Sequence, residues 1–378
     1  MSDTTLSMAR PITLLQPARL EIGAGAVSRL DEWAAGYQRV FVVAMAPTVG
    51  FVDRIGLSGT IKTFIDLPPE PDLPAVEAVL AAARAFRPDL VIGLGGGSVM
   101  DAAKLVAVLW DSELSVPDVV GVGKVQGRRT ALAQVPTTSG TGSEAGIRSL
   151  VTNPVTLAKM AVESQFMLAD IAVLDPELTY SVPAAVTAAT GVDALAHCVE
   201  AFTNIKAHPL IDGYASMGIS LVGQYLARAV ADGSDTEARA GMMLASYYGG
   251  ICLGPVNTAG GHALAYPLGT RLKLPHGLAN AIIFPHMLAF NAPIRPEKTA
   301  LIMSALGLSG GTGEQAVRDA SHAYCQNLGI EMSLSRHGAQ QQDLSLWAEE
   351  AFAIKRLIDN NPRPLAVSDI QAIYGNAF

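Results

Sequence analysis

The chain has 378 residues, half of them hydrophobic and 16% charged, with 26 Lys and Arg against 34 Asp and Glu for a formal net charge of −8. That length and apolar content predict two domains with sizeable buried cores, and the acidic balance without a basic tract excludes nucleic acid and anionic membrane as partners. Apolar runs are broken by Gly, Pro, Asp or Arg before reaching the length of a membrane span, and residues 1–10 lack the apolar core of a secretory signal, so a cytoplasmic protein is expected.

In chain order, Ile12-Thr13-Leu14-Leu15 and Leu20-Glu21-Ile22 read as two short strands around Gln16-Pro17, an edge hairpin or an arm toward a neighbouring subunit. Residues 24–36 read as a helix. Arg39-Val40-Phe41-Val42-Val43-Ala44 is a continuous apolar run, as a parallel strand buried on both faces requires. A helix over 50–56, a strand over 60–65, a loop at Pro68-Pro69-Glu70-Pro71 and an Ala-rich helix over 73–86 follow. The next buried strand, 89–94, runs into Gly95-Gly96-Gly97-Ser98 and a helix through Asp101, Lys104 and Leu109. A strand over 130–136 ends in Thr137-Thr138-Ser139-Gly140-Thr141-Gly142-Ser143-Glu144, and strand segments continue over 145–175. Strands alternating with helices of these lengths predict a parallel α/β sheet. After Asp175-Pro176 helical periodicity dominates, interrupted by a loop at Ser309-Gly310-Gly311-Thr312-Gly313. The expected domains are a dinucleotide-binding α/β domain over 1–180 and a helical metal-binding domain over 181–378.

Three features carry chemistry. The first glycine cluster follows a strand and opens a helix, where small residues let a pyrophosphate approach free helix N–H groups. It is not a GxGxxG fingerprint, and no acidic residue about 20 positions on is placed to hold a ribose. The second cluster, residues 137–144, offers hydroxyls, glycines and a carboxylate at a strand's C-terminal end, where open α/β sheets bind ligands. The third is Asp193-x3-His197, a carboxylate and an imidazole on one helix face, with His262 and His276 downstream. One carboxylate and three imidazoles suit a first-row divalent ion such as Fe(II) or Zn(II). His286 is a further candidate beside this site, while His208, His322 and His337 read as surface residues. Cys198 is turned about 100° from His197 on a helix, and the three cysteines, Cys198, Cys252 and Cys325, form no disulfide framework.

Together these residues resemble the iron-dependent, group III alcohol dehydrogenases over nearly the whole chain. The resemblance rests on Gly95-Gly96-Gly97-Ser98-x-x-Asp101-x-x-Lys104, the block from Pro136 to Glu144, Asp175-Pro176, Gly191-x-Asp193-Ala194, Pro275-His276-Gly277-x-Ala279-Asn280-Ala281 and Asn361-Pro362-Arg363-Pro364. It implies an N-terminal Rossmann-like α/β domain, an all-α C-terminal domain in a dehydroquinate synthase-like architecture, and a cleft between them. It implies that Gly95, Gly96, Gly97 and Ser98 hold the pyrophosphate of NAD with Asp101 near the nicotinamide. It further implies that Thr137, Thr138, Thr141 and Lys159 line the cofactor, and that Asp193, His197, His262 and His276 bind the metal and act through it, Fe(II) in preference to Zn(II). The activity implied is hydride transfer between NAD(P) and a small alcohol or aldehyde, in a homo-oligomer of two or more subunits.

Three departures from the family pattern bear on specificity. Tyr266 stands where many relatives carry a histidine. Met45 stands where NAD-preferring relatives carry Asp, so NADP is not rejected by a carboxylate. Arg148 resembles part of a substrate-pocket wall and, with Tyr266, is a candidate pocket residue, where a guanidinium would favour an acidic substrate. That last feature supports an alternative reading as a maleylacetate reductase-like enzyme for a carboxylated or phosphorylated substrate. A nucleotide-binding relative without catalysis is the reading of a different class, against which the intact donor quartet argues.

Overall fold

The computed structural model describes residues 9–378, so most of the stretch read for a signal lies outside the described residues. Two compact units are present, one of residues 15–181 and a helical one of residues 182–378 joined by the described residues before Leu15. The first unit contains strands β1 (Arg19–Ile22), β2 (Arg39–Val43), β3 (Thr60–Phe64), β4 (Leu90–Gly95), β5 (Gly121–Val122), β6 (Ala131–Pro136), β7 (Arg148–Thr152), β8 (Lys159–Glu163) and β9 (Ile171–Leu174). Six of them form one sheet in the order β1-β9-β6-β4-β2-β3, and every pairing within it is parallel. Helices α1 (Leu30–Ala34), α2 (Val52–Ile55), α3 (Leu73–Phe86) and α4 (Gly97–Leu109) connect the strands.

Alternate residues of the central strands feed two cores. Phe41, Val43, Val91 and Leu132 meet Val76 and Val79 of α3 and Leu105 and Val106 of α4. Val40, Val42, Ile92, Leu94 and Val135 meet Leu30 and Ala34 of α1 and Ile55 of α2. Burial on both faces is why these strands are apolar without interruption. The α3 boundaries follow from its ends: Asp72 caps the start through Ala75 N, Pro74 occupies the first turn, and Arg87 closes the helix at φ 58, before Pro88. A second, three-stranded sheet runs β5-β8-β7, with β7 and β8 antiparallel.

Ile12-Thr13-Leu14-Leu15 is not a strand, contrary to expectation. Its apolar side chains are satisfied differently, since Ile12 and Leu14 pack against the core of the helical unit.

The helical unit comprises α5 (Ala184–Thr203), α6 (Pro209–Ala231), α7 (Thr236–Leu253), α8 (Gly260–Arg271), α9 (His276–Asn291), α10 (Pro296–Ala305), α11 (Glu314–Asn327), α12 (Leu344–Phe352), α13 (Lys355–Ile358) and α14 (Val367–Asn376). Its hub is α5, buried at every position from Gly191 to Thr203 and packed by α6, α7 and α9. At Gly277 an added Cβ would lie 2.8 Å from the Ala189 carbonyl oxygen. That close approach seats the first turn of α9, with His276, against the backbone of α5. Among the described residues no helix is long and apolar enough to cross a membrane.

Candidate metal centre

Asp193 and His197 leave one face of α5 a turn apart, His262 sits in the first turn of α8, and His276 opens α9. One ligand atom from each of the four lies within 4.8 Å of all the others. The structure therefore gathers all four residues singled out in the sequence. Asp193 Oδ1 is 3.6 Å from His262 Nε2 and 3.7 Å from His276 Nε2. The His197 and His262 rings stack with centroids 4.5 Å apart. Asp193, His197 and His262 are buried, whereas the His276 side chain stays 20% exposed and gives the cluster its access.

The donors fit a divalent ion on their own chemistry. His262 Nε2 is buried and has no hydrogen-bond partner among the described residues, although its other nitrogen is fully engaged. A buried ring nitrogen facing a carboxylate and two imidazoles is costly unless something accepts its lone pair. The electrostatics point the same way. Burial alone would raise the Asp193 carboxyl, yet the imidazoles of His197, His276 and His262 hold it well below the usual carboxylate range. Burial pushes the His197 imidazole down to about 4, leaving it neutral and able to donate a lone pair at neutral pH. For His262 burial acts downward, but the Glu200 and Asp193 carboxylates prevail and raise it. Two carboxylates thus favour positive charge at this point, which a divalent ion held by the four donors would supply in place of a proton.

Three neighbours escaped the reading of the sequence. Glu200 lies on the same stripe of α5, and its Oε1 is 2.6 Å from His262 Nδ1. Asn280, one turn after His276, donates from Nδ2 to Asp193 Oδ1 at 2.7 Å and lies 3.1 Å from His276 Nε2. The signal for both was available: each follows a ligand at helical spacing, at i+3 or i+4. The third, Arg356, comes from a distant segment and carried no such signal. It donates to the Tyr266 hydroxyl at 3.3 Å and stands over that ring at 5.7 Å. The Tyr266 ring is 6.0 Å from that of His276, so one tyrosine separates the guanidinium from a metal-ligating candidate.

His286 is not gathered into the cluster. It is buried with both ring nitrogens unpartnered and faces His322 edge-on at 6.4 Å. His208 caps α6 by accepting from Leu210 N, and His337 meets the Glu331 carbonyl. Cys198 points toward the Ala245 carbonyl, away from the donors.

In the sheet unit, β4 and β6 are parallel neighbours with Gly95 opposite Pro136, so their C-terminal loops adjoin. A Cβ on Gly97 would lie 2.7 Å from Thr141 Cγ2, and one on Gly96 would lie 3.3 Å from Thr138 Oγ1. The two clusters therefore touch, and at Gly97 any side chain would have to displace Thr141. Helix α4 starts at Gly97 with no side-chain cap on its first turn, leaving amides and the positive end of the helix dipole for an anion. Thr137 is bonded to the end of β4 through its backbone N–H to Gly95 O at 3.0 Å. Lys159 pairs with the carboxylate of Glu70, whose backbone N–H donates to Ser98 Oγ at 3.1 Å, so it reaches the glycine loop through one residue. Met45 follows β2, partly buried against the α3–α4 core.

Two of the expected site residues have partners within the protein. Asp101 does not present a free carboxylate to a cofactor. Its Oδ1 accepts from Ser143 Oγ at 2.6 Å and its Oδ2 from Leu150 N at 2.8 Å, tying α4 to the second sheet. Arg148 is no free cation for a substrate. It lies directly opposite Glu163 in the β7–β8 register and pairs with that carboxylate at 2.7 Å, as opposite charges on facing strand positions do.

Comparison with known proteins agrees with this geometry. A model for iron-containing alcohol dehydrogenase matches residues 17–176, and one for the C-terminal part of the Fe-containing alcohol dehydrogenase family matches residues 187–378. The long-chain-alcohol dehydrogenase 1 of Geobacillus thermodenitrificans (strain NG80-2) is 37% identical over 394 residues, covering 99% of this chain and 98% of the relative. The crystal structure of a 1,3-propanediol oxidoreductase superposes with a TM-score of 0.92 at 30% identity, covering 98% of this chain and 100% of the other. A sulfoacetaldehyde reductase from Bifidobacterium kashiwanohense, solved in complex with NAD+, gives a TM-score of 0.87 at 27% identity over 98% and 99% of the two chains. With both units matched and the Asp-His₃ cluster assembled, the chain belongs to the iron-containing alcohol dehydrogenase family and is a metal-dependent, NAD-linked alcohol dehydrogenase or aldehyde reductase.

Proposed function

We propose that Asp193, His197, His262 and His276 hold a divalent ion and thereby serve the interconversion of a small alcohol and its aldehyde. Fe(II) is the proposed ion, following the family, and Zn(II) accepts the same donors. The glycine loop Gly95, Gly96, Gly97 and Ser98, with Thr137, Thr138, Thr141 and Lys159, is proposed to hold the dinucleotide. Of the expected segments, 1–180 then serves from Leu15 onward as the dinucleotide domain and 181–378 as the metal domain. One observation carries the reading: the four-donor cluster with the buried, partnerless Nε2 of His262.

When bound, the ion supplies Lewis acidity at the alcohol or aldehyde oxygen, and the nicotinamide supplies or accepts the hydride. The protein's part is placement. Asp193 brings the formal negative charge of the donor set, and Asn280 fixes its Oδ1 by a hydrogen bond. Burial keeps His197 neutral. The uncapped start of α4 faces its positive dipole end toward the phosphate-binding loop.

The missing carboxylate at Met45 leads us to include NADP as a usable cofactor. The outer edge of β1, unpaired among the described residues and with Leu20 and Ile22 exposed, supports a homo-oligomer of two or more subunits, and a cytoplasmic location is proposed with it. The test is His262→Ala. Metal content should fall sharply and kcat/KM should drop by at least about 100-fold, beyond the usual effect of altering a ligand's neighbour. Full dehydrogenase activity in the variant would sink the metal mechanism.

A second reading, an acidic substrate, is favoured by Arg356 rather than by Arg148. Among the described residues Arg356 makes no ion pair, and it stands beside Tyr266 near His276. One structural relative is by name a reductase of sulfoacetaldehyde, an anionic aldehyde.

A further inference from the structure

We propose that Glu200 is a positioning residue of the metal centre, setting the tautomer and orientation of His262 so that Nε2 carries the lone pair toward Asp193, His197 and His276. The inference rests on the metal reading of that cluster. Glu200 follows His197 by three residues and Asp193 by seven, so all three lie along one stripe of α5. Its two oxygens do different work. Oε1 is 2.6 Å from His262 Nδ1. Oε2 accepts the backbone N–H of Ala259 and, at 3.4 Å, that of His262 itself. One carboxylate therefore holds both the backbone and the ring of the same residue.

The hydrogen-bond chemistry fixes the tautomer. A neutral imidazole carries one N–H and one lone pair, and an ionised carboxylate can only accept. In the neutral ring, the form that binds a metal, Oε1 against Nδ1 places the proton on Nδ1 and the lone pair on Nε2, the atom that faces Asp193 at 3.6 Å. A carboxylate behind a ligating histidine also makes the ring a better donor. The chain leaves room for this contact: an added Cβ on Gly261 would lie 2.5 Å from Glu200 Oε1. Ala259, at the cap of α8, has no side chain able to accept those N–H groups, so Glu200 supplies that as well.

Helix capping and tautomer control are separable roles. Glu200→Gln keeps the volume but removes the charge and replaces one acceptor by a donor, so a single amide cannot satisfy both Nδ1–H and the Ala259 N–H. Glu200→Asp keeps the charge and withdraws it by one methylene, and serves if the glutamine variant does not fold. The experiment uses the full-length protein stripped with chelator, and measures Zn(II) affinity by chelator competition at one fixed pH for the wild type and both variants. The circular dichroism of each metal-free protein is recorded alongside, and ¹⁵N shifts of the His262 ring are recorded in the Zn(II)-loaded wild type. The expected result is binding about 10–100-fold weaker in the variants, unchanged helix content without metal, and a protonated Nδ1 on His262 in the wild type. Wild-type binding with variant affinity within twofold of it overturns the inference while leaving the metal reading intact, as does a His262 protonated on Nε2. Failure of the wild type itself to bind Zn(II) or Fe(II) overturns both.

Discussion

Arg356 allows the substrate class to be tested at a single residue. A guanidinium that meets a substrate carboxylate, sulfonate or phosphate contributes about 1.5–3 kcal/mol through charge-assisted hydrogen bonds. Arg356→Gln should therefore raise KM for an anionic aldehyde by about tenfold or more, and shift that for a neutral aldehyde of the same length by less than about twofold. Equal effects on both would assign Arg356 to supporting Tyr266 instead. The residue also shows where reading the sequence stops. Asp193 and His197 were legible because helix geometry places i and i+4 on one face, and His262 and His276 because imidazoles are scarce and chemically distinctive. Glu200 obeys the same spacing rule but is a carboxylate in a helix, a pattern shared with any solvated face. Arg356 and Tyr266 are ninety residues apart in sequence, and only packing brings them within 3.3 Å. Arg148 shows the complementary limit: its partner Glu163 becomes visible only once β7 and β8 are registered.

Among the elements, α6 sets helix propensity against packing. Gly213 and Gly223 both lie in it. A Cβ on Gly213 meets nothing within 4 Å, whereas one on Gly223 would lie 1.9 Å from the Ala305 carbonyl oxygen at the end of α10. Gly213→Ala should stabilise the helical unit by about 0.5–1 kcal/mol through the lower backbone entropy of alanine. Gly223→Ala should destabilise it by about 1–3 kcal/mol, because the backbone of α10 must move. Denaturant unfolding of the two variants checks the pair, and the same sign for both would show that packing does not govern this helix. Elements with strong local signals were legible. Leu73–Phe86 is an Ala-rich run closed by Arg87-Pro88 in the sequence, and the doubly buried strands carry their unbroken apolar runs. The strand expected at residues 12–15 failed because four apolar residues fit a packed irregular segment equally well. The two-residue β5 went unseen because nothing in Gly121-Val122 distinguishes a strand from a turn.

At the scale of the whole molecule, pH acts on stability through a charged group inside the sheet unit. Glu144 is fully buried, and burial pushes its carboxyl up to about 7 despite the attraction of Lys104. Lys104 is itself buried, donating to Ser143 Oγ at 2.7 Å and the Arg148 carbonyl at 2.8 Å, and burial lowers its pKa. Desolvation thus outweighs the attraction of Lys104 for Glu144, and the attractions of Asp101 and Glu144 for Lys104, as expected for charges withdrawn from water. The folded pKa of Glu144 lies above its ordinary value of 4.5, so the folded state binds the extra proton. Stability from this group is complete below pH 4.5, declines as pH rises, and is lost once pH passes about 7. The change amounts to about 3 kcal/mol. Glu144→Gln removes the titration while keeping the side chain's size. The variant minus wild-type difference in unfolding free energy should therefore grow in the variant's favour between pH 5 and pH 8, then level off. Taking the difference cancels the many carboxylates and histidines that titrate alike in both proteins. Because two compact units need not unfold together, the quantity to follow is the transition of the sheet unit, read by hydrogen exchange in β4 and β6. A difference that is flat with pH would mean that Glu144 stays ionised throughout, held so by the field of Lys104.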